Sequence, residues 1–321
     1  MSEQPLVSIL IPCFNAEKWV GQSVQSALSQ SYPNKEVIVD DDGSTDGSLQ
    51  ILKGFGDAIH LETGPNRGGN AARNRLLALS RGQWLQYLDA DDFLRLDKVE
   101  GQLNFAVAHP QLDVIYSPMY LRDETTGIES RTFITNKSDP FCGYLCWLDF
   151  CTHSILLRRS AIEAIGGWNE SQRVCQEHEL ILRLLLNGAK FGLHDQLGAV
   201  YRHHGNDTVS KKSPERTIRQ RMLLTERLAD HLRSTGNLTP ARKEALARSQ
   251  LEAARSMYRW DKNYAREQIR KAIHGRPIPH SPASPLLYRL ALRLLGFEAA
   301  ERLAALKRKI RPATQQDSAG Q

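Results

Sequence analysis

Three apolar runs in the first hundred residues constrain the fold more than any other feature. They lie in "LVSILIPCFN" (6–15), "KEVIVDDDGSTDGS" (35–48) and "QWLQYLDADD" (83–92), and each breaks abruptly into polar and turn-forming residues. A continuous apolar run, rather than a strict alternation, is the pattern of a strand buried on both faces of a parallel sheet. Between the runs the spacing turns helical. "AEKWVGQSVQSALSQ" (16–30) places Trp19, Val20, Val24 and Leu28 on one side. "NRGGNAARNRLLALSRG" (66–82) leads from a Gly-rich turn into a helix that closes at Gly82. A short helix in "GSLQILKGF" (47–55) and a strand in "AIHLET" (58–63) complete the alternation. Strands alternating with helices predict a mostly parallel α/β sheet flanked by helices.

Further along, "LDVIYSPMYLRD" (112–123) and "ESRTFIT" (129–135) predict two strands in a hairpin-like excursion. "HSILLRRSAIEAIGGWNES" (153–171) predicts a strand, a helix and a Gly-Gly turn. "QEHELILRLLLNGAKFG" (176–192) predicts a helix, and "LGAVYRHHGNDTVS" (197–210) a last strand and loop. After Pro214 the texture changes. Residues 215–275 and 284–311 are long helical patterns rich in Arg, Leu, Ala and Glu, broken by "GRPIPHSPASP". The tail "RPATQQDSAGQ" has the composition of disorder. The expected division is an α/β domain over 1–212, a helical region over 213–311 and a disordered tail over 312–321.

In open α/β sheets, ligands bind beyond the carboxyl ends of the strands. Here Pro12 to Asn15, the triplet Asp40-Asp41-Asp42, and Asp89, Asp91 and Asp92 all fall at such ends. A buried, unpaired carboxylate is costly, so six acids in two clusters must meet water, a partner or a cation. Asp89-Ala90-Asp91 is a D-x-D on a turn, an arrangement that suits a hard divalent cation bridging to phosphates. Taken alone it is equally a solvated acidic turn.

Composition removes other classes. No apolar run is long enough to span a bilayer, and the N-terminus has no basic region before its apolar stretch. A cytoplasmic protein is expected. The five cysteines fit reduced thiols, and Cys142, Cys146 and Cys151 match no common zinc spacing. The net charge of +6 is concentrated late in the chain, without the aromatic or modular signature of nucleic-acid binding. "NRGGNAARN" contains no G-x-G-x-x-G, which argues against a dinucleotide-binding oxidoreductase.

The combination is more specific than its parts. The first strand and helix, with Ser26 to Gln30 as S-x-x-x-Q, the D-D-G-S-T-D at 41–46, the Arg73–Asn74 pair and "WLQYLDADD" occur in order at compatible spacings. Over most of residues 6–210 the chain resembles a family 2 glycosyltransferase of the GT-A fold. The resemblance implies an inverting glycosyltransferase acting in synthesis of a bacterial-type polysaccharide or glycoconjugate. Its donor would be a nucleotide-diphosphate sugar, most often UDP-linked. The acceptor would be a glycan, a lipid-linked or a protein hydroxyl, and the cofactor Mg²⁺ or Mn²⁺. Pro12 would border the base and Asp42 accept a hydrogen bond from it. Arg73 would steady the nucleotide, Asp89 sit near the ribose, and Asp91 ligate the metal. His204, in "YRHHGNDTVS", would reach the metal or diphosphate. Asp92 would be a helper or cap the following helix. The acid pair at the start of the late helix corresponds to Gln176 and Glu177, a departure that leaves Glu177 as the expected base. Glu179 is the second choice and otherwise a surface charge. Asp40, where an apolar residue is common, is expected to face water. Trp168 lines the acceptor site or belongs to the core.

Residues 215–311 lie outside that resemblance. "SPLLYRLALRLLGFEAAERLAALKRKIR" is amphipathic and basic, suited either to an anionic membrane surface or to packing within a helical subdomain. The alternative to an enzyme is a non-catalytic GT-A-like protein that binds nucleotide sugars. Gln176 is the motif feature in its favour.

Overall fold

The structure is a computed structural model that describes residues 4–134, 138–145, 150–204, 213–275, 277–281 and 284–310, with only the backbone of 308–310. Its contacts divide the chain into two units, Met1–Lys212 and Ser213–Gln321.

The first unit opens with β1 (Val7–Cys13), α1 (Val20–Leu28), β2 (Lys35–Asp41), α2 (Ser48–Lys53), β3 (His60–Thr63), α3 (Gly69–Leu79) and β4 (Trp84–Tyr87). Then come β5 (Phe93–Leu94), α4 (Lys98–Ala108), β6 (Val114–Tyr116), β7 (Met119–Asp123), β8 (Glu129–Arg131) and α5 (Pro140–Leu145). It closes with β9 (Ile155–Arg158), α6 (Arg159–Ala164), α7 (Gln176–Leu186), β10 (Phe191–Leu193) and β11 (Ala199–His203). Seven strands form one sheet in the order β10-β6-β9-β4-β1-β2-β3. β1 lies between β2 and β4 and is parallel to both. β9 is antiparallel to β4 and β6.

The central position of β1 explains its uninterrupted apolar run. Val7, Ile9, Leu10 and Ile11 are all fully buried. The polar exception, Ser8, is satisfied from both sides: its Oγ donates to Glu36 Oε1 at 2.6 Å and accepts from the Gly82 N–H at 2.8 Å. A Cβ on Gly82 would stand 2.5 Å from the Ser8 nitrogen, so the chain entering β4 must pass there as glycine. Because β1, β2 and β4 are parallel, Pro12, the Asp40–Asp42 triplet and Asp89–Asp92 leave the sheet along the same edge.

A second sheet, ordered β5-β11-β7-β8, lies beyond that edge. β5 begins one residue after Asp92 and pairs antiparallel with β11, Leu94 opposite Ala199 and Phe93 opposite Val200. That short pairing carries the end of β11, and with it His204, beside the D-x-D turn. The expected hairpin is β7 with β8. The expected helix over 176–192 is shorter than its pattern. It ends at Leu186, the chain turns through Gly188 at φ +80°, and Phe191–Leu193 becomes β10, parallel to β6.

Among its described residues the second unit has five helices: α8 (Pro214–Ser234), α9 (Pro240–Met257), α10 (Lys262–Ile273), α11 (Leu286–Leu295) and α12 (Phe297–Ile310). Proline in the first turn suits the starts of α8 and α9. Asp261 caps α10, accepting from the Tyr264 N–H at 2.9 Å. Leu251, Ala254, Ile269, Ala272, Tyr288, Leu292 and Ala300 form its core. Among the described residues no helix is long and apolar enough to cross a membrane. Cys146, the loop after His204 and the tail 312–321 lie outside the described residues.

Candidate active site

The three strand ends open onto a cleft of roughly 680 Å³ lined by Pro12, Phe14, Trp19, Asp42, Arg73, Asp89, Asp91, Gln176 and His204, among others. Six of the seven residues expected to form a site therefore line one cavity. The seventh, Glu177, follows a lining residue directly.

The acids at the end of β2 are held by the protein itself. The Arg67 and Gly68 N–H groups donate to Asp42 Oδ1 and Oδ2 at 3.0 and 2.8 Å. Arg75 donates to Asp42 Oδ1 at 2.6 Å and through Nε to Asp40 Oδ2 at 2.9 Å. The expectation that Asp40 faces water is wrong: it is 1% exposed and ion-paired to Arg75. Burial pushes its carboxyl up, against the opposing pull of that guanidinium. Gly43 makes the arrangement possible. At φ +75°, a Cβ there would lie 2.8 Å from the Asn66 nitrogen, so only glycine lets the 64–66 loop close against Asp42.

The acids at the end of β4 are more open. Ser23 of α1 donates to the Asp89 carbonyl at 3.2 Å, pinning the turn. The Asp89 carboxylate accepts from Arg73 Nη2 at 2.7 Å. Arg73 also donates to Gln176 Oε1 at 3.0 Å and lies 4.8 Å from the centre of the Trp168 ring. Asp91 stands 2.9 Å from His204 Nε2. The His204 ring in turn lies 5.5 Å from that of Trp19. Arg202 approaches the same indole, with Cζ at 4.7 Å from its centre.

Asp92 does not cap a helix, since α4 starts only at Lys98. It is buried, accepts from the Arg202 N–H at 2.7 Å and lies 3.1 Å from His153 Nδ1. Burial pushes its carboxyl up to about 6, partly countered by His153. The imidazole, lowered by its own burial, is raised overall by Asp92. Donor atoms of Asp89, Asp92 and His153 all lie within 4.8 Å of one another.

Glu177 is the second residue of α7, and the N–H groups of the first turn favour negative charge there. Its carboxylate is 3.3 Å from His178 Nδ1. Burial would raise it, but His178 and then Arg73 hold it down, to about 2, and the side chain itself keeps 36% of its surface exposed, so the ionised form is favoured. Glu179 is not a surface charge. It is buried and chelated by Arg183, with Nε and Nη2 at 2.9 and 2.8 Å. Trp168 belongs to the core, edge-on to Tyr87 at 5.2 Å. The two non-glycine residues with left-handed backbone among the described residues, Asn15 (φ 49°) and Cys175 (φ 55°), both flank this site. Such strain concentrates where the chain must aim functional groups.

Trp19 and His153 are the residues that sequence reasoning missed. Trp19 reads as the apolar face of a helix, and His153 as the start of a strand. Each acquires its role through partners far along the chain.

Comparison with known proteins gives a consistent picture. The family model described as glycosyl transferase family 2 matches residues 8–166. An uncharacterised glycosyltransferase of Haemophilus influenzae is 35% identical, covering 50% of this chain and 65%, just under two thirds, of the relative. The Escherichia coli protein WfaP, a UDP-Glc:α-D-GlcNAc-diphosphoundecaprenol β-1,3-glucosyltransferase, is 29% identical over 68% of this chain and 85% of its own length. Among solved structures, Staphylococcus aureus TarS 1–349 in complex with UDP-GlcNAc superposes with a TM-score of 0.60 at 16% identity, covering 94% of this chain and 91% of that one. The mannosyltransferase PcManGT of Pyrobaculum calidifontis, in complex with GDP-Man and Mn²⁺, gives 0.55 at 17% identity, over 96% and 88%. The α/β fold with its C-terminal helices is thus the GT-A fold of these structures.

Proposed function

Because the chain belongs to the family 2 glycosyltransferases, we propose that it transfers a sugar, with inversion, from a nucleotide-diphosphate sugar to an acceptor hydroxyl in polysaccharide or glycoconjugate synthesis. The observation that carries this reading is the convergence of three strand ends, two carboxylate clusters and a late helix N-terminus on one cleft. Its volume falls within the range of small-molecule sites. A UDP-linked donor is favoured by the substrate in WfaP's name and the ligand bound to TarS. WfaP also motivates a lipid-linked acceptor; a glycan or protein hydroxyl is the alternative.

In this reading Pro12 borders the base. Asp42 has four acceptor positions and uses three on Arg67, Gly68 and Arg75, so one on Oδ2 remains for a base N–H. Arg73 and Asp89, already paired, present a fixed donor and acceptor to the phosphate and ribose. Asp91 and His204 would hold the cation. Their carboxylate oxygen and imidazole nitrogen suit Mg²⁺ or Mn²⁺, and the 40% exposed Asp91 side chain is reachable from the cleft. The Asp89–Asp92–His153 group is the less suitable cradle, because Asp92 and His153 are buried and already engaged with each other. Held there, a cation would supply charge neutralisation for the departing diphosphate. Glu177 takes the acceptor proton as the hydroxyl oxygen attacks the anomeric carbon, and the diphosphate leaves with the bonding electrons.

Calorimetric titration with UDP, GDP and dTDP, each with and without Mn²⁺, tests the reading. Metal-dependent binding of one nucleotide supports it. No binding to any of them favours a non-catalytic relative, for which Gln176 in place of an acid is the motivating feature. Glu177→Gln should leave donor binding unchanged and slow transfer by about 10²–10⁴-fold. A base held at about 2 in the free enzyme remains ionised well below neutrality, so it should contribute no acid limb to kcat/KM above roughly pH 3. The sign for stability follows: its contribution is complete above the ordinary glutamate range and is lost as pH falls through about 2. An acid limb near neutrality that survives Glu177→Gln would move the base to another residue, whereas one that Glu177→Gln abolishes would keep Glu177 as the base and overturn only its low titration.

A further inference from the structure

The second unit leaves leucines in solvent where a helical bundle normally buries them. On α11, Leu286, Leu287, Leu290 and Leu294 are 62, 69, 46 and 76% exposed. At 3.6 residues per turn these four fall within an arc of about 100°. Tyr288 and Leu292, on the opposite side, enter the core. On α12, Leu303 and Leu306 are 48 and 55% exposed. An apolar groove of roughly 600 Å³ runs between the two helices, lined by Leu286, Leu287, Ala291, Leu303 and Ala304. Contiguous exposed apolar surface of this kind marks an interaction site.

The charges around it say what kind. Arg289 and Arg293 follow the leucine arc along one border of α11, and Arg302 and Lys307 are exposed on α12. The acids of this hairpin are already paired. Glu301 is buried, accepting from Arg255 Nε at 2.7 Å and from the Tyr288 hydroxyl at 2.6 Å. Glu298 is ion-paired with Arg266 Nε at 2.9 Å. What remains outward is leucine rimmed by Arg289, Arg293 and Lys307, which meet no acid among the described residues, while Arg302 lies 3.9 Å from Glu298. We propose that α11 and α12 dock this unit on an anionic lipid surface, the leucines entering the acyl boundary and the Arg and Lys side chains meeting lipid phosphates. A second copy of the chain fits less well. A symmetric contact through this face would bring its basic rim against an identical rim.

The test is co-sedimentation of the full chain, without donor, with vesicles of phosphatidylglycerol mixed into phosphatidylcholine and with pure phosphatidylcholine vesicles. The expected result is binding to the anionic vesicles only, weakened by salt. Leu290→Glu/Leu294→Glu should reduce it tenfold or more, and Arg289→Gln/Arg293→Gln by roughly tenfold. Leu223→Glu, a comparably exposed leucine on α8, should leave it unchanged. All positions are exposed or half-exposed, so an unchanged circular-dichroism melt verifies folding. No binding to anionic vesicles, or binding indifferent to the α11 changes, overturns the proposal. So does light scattering that shows a dimer dissociated by Leu290→Glu/Leu294→Glu, which would assign the face to a second copy. Nucleotide titration of the same samples reports separately on the transferase reading, so the two can fail independently.

Discussion

The two carboxylate clusters at the edge of the main sheet have similar sequences and opposite fates. At the end of β2, Asp40, Asp41 and Asp42 are each at most 2% exposed, and Asp40 and Asp42 share the Arg75 guanidinium. At the end of β4, Asp92 is buried in the same way, but Asp89 and Asp91 keep 30 and 40% of their side chains exposed. In the first cluster Asp40 and Asp42 are paired from within by one guanidinium, and the cluster shapes one wall of the cleft. The second leaves acceptor oxygens open to whatever enters. The number of acids is thus a poor guide to chemistry. What matters is how far each is buried with its partners, since Asp89 also has a guanidinium, Arg73, yet keeps 30% of its side chain exposed.

The largest effect should come from breaking the buried Asp40–Arg75–Asp42 group. Arg75→Ala would leave Asp40 and Asp42 buried beside each other with no guanidinium. Loss of one partner of a buried ion pair costs about 3–5 kcal/mol, and Arg75 is partly exposed, so the lower end applies. Urea unfolding of the variant should read that loss, with nucleotide binding falling alongside stability. A loss under roughly 1 kcal/mol would mean that water already compensates these acids.

The contrasting change is Asp91→Ala. Its carboxylate contacts solvent and His204 rather than the core, so the melting temperature should stay within about 2 °C of the parent. Turnover and Mn²⁺-dependent nucleotide affinity should nevertheless fall on the order of 100-fold. Stability lost with activity retained would reverse the comparison between the two clusters.

How much of this was legible in the sequence follows the range over which each signal acts. β1, β2 and β4 were legible because burial on both faces writes itself into consecutive residues. β10 was not. Its three residues follow a helix whose apolar spacing runs on into "NGAKFG", and the strand exists only through pairing with β6. The acids that would meet the substrate were found at strand ends, where topology alone implies a site. Misreadings occurred where a partner lies far along the chain. Asp40 was expected in water, but Arg75, on α3, reaches back to it. Glu179 was expected as the second choice for the base and otherwise a surface charge, but it is buried with Arg183, which also bonds the Ile165 and Gly167 carbonyls from earlier in the chain. Asp92 was expected to be a helper or a cap, and its buried contacts were not legible because neither His153 nor β11 is near it in sequence.

The smallest predicted effect sharpens the same contrast from the other side. His204 reaches Asp91 because β11 is held between β5 and β7, so it is a second contributor to a site that Asp91 anchors. His204→Ala should lower Mn²⁺-dependent nucleotide affinity by roughly tenfold while leaving metal-free nucleotide binding unchanged. His204→Gln, which keeps a polar group of similar reach, should recover part of that loss. If both variants bind nucleotide and metal like the parent, His204 serves only to stack on Trp19, and the cation belongs to the carboxylates alone. If instead His204→Ala weakens binding equally with and without Mn²⁺, the imidazole meets the phosphates directly. The open cluster would then work through a hydrogen bond where a metal contact is now proposed.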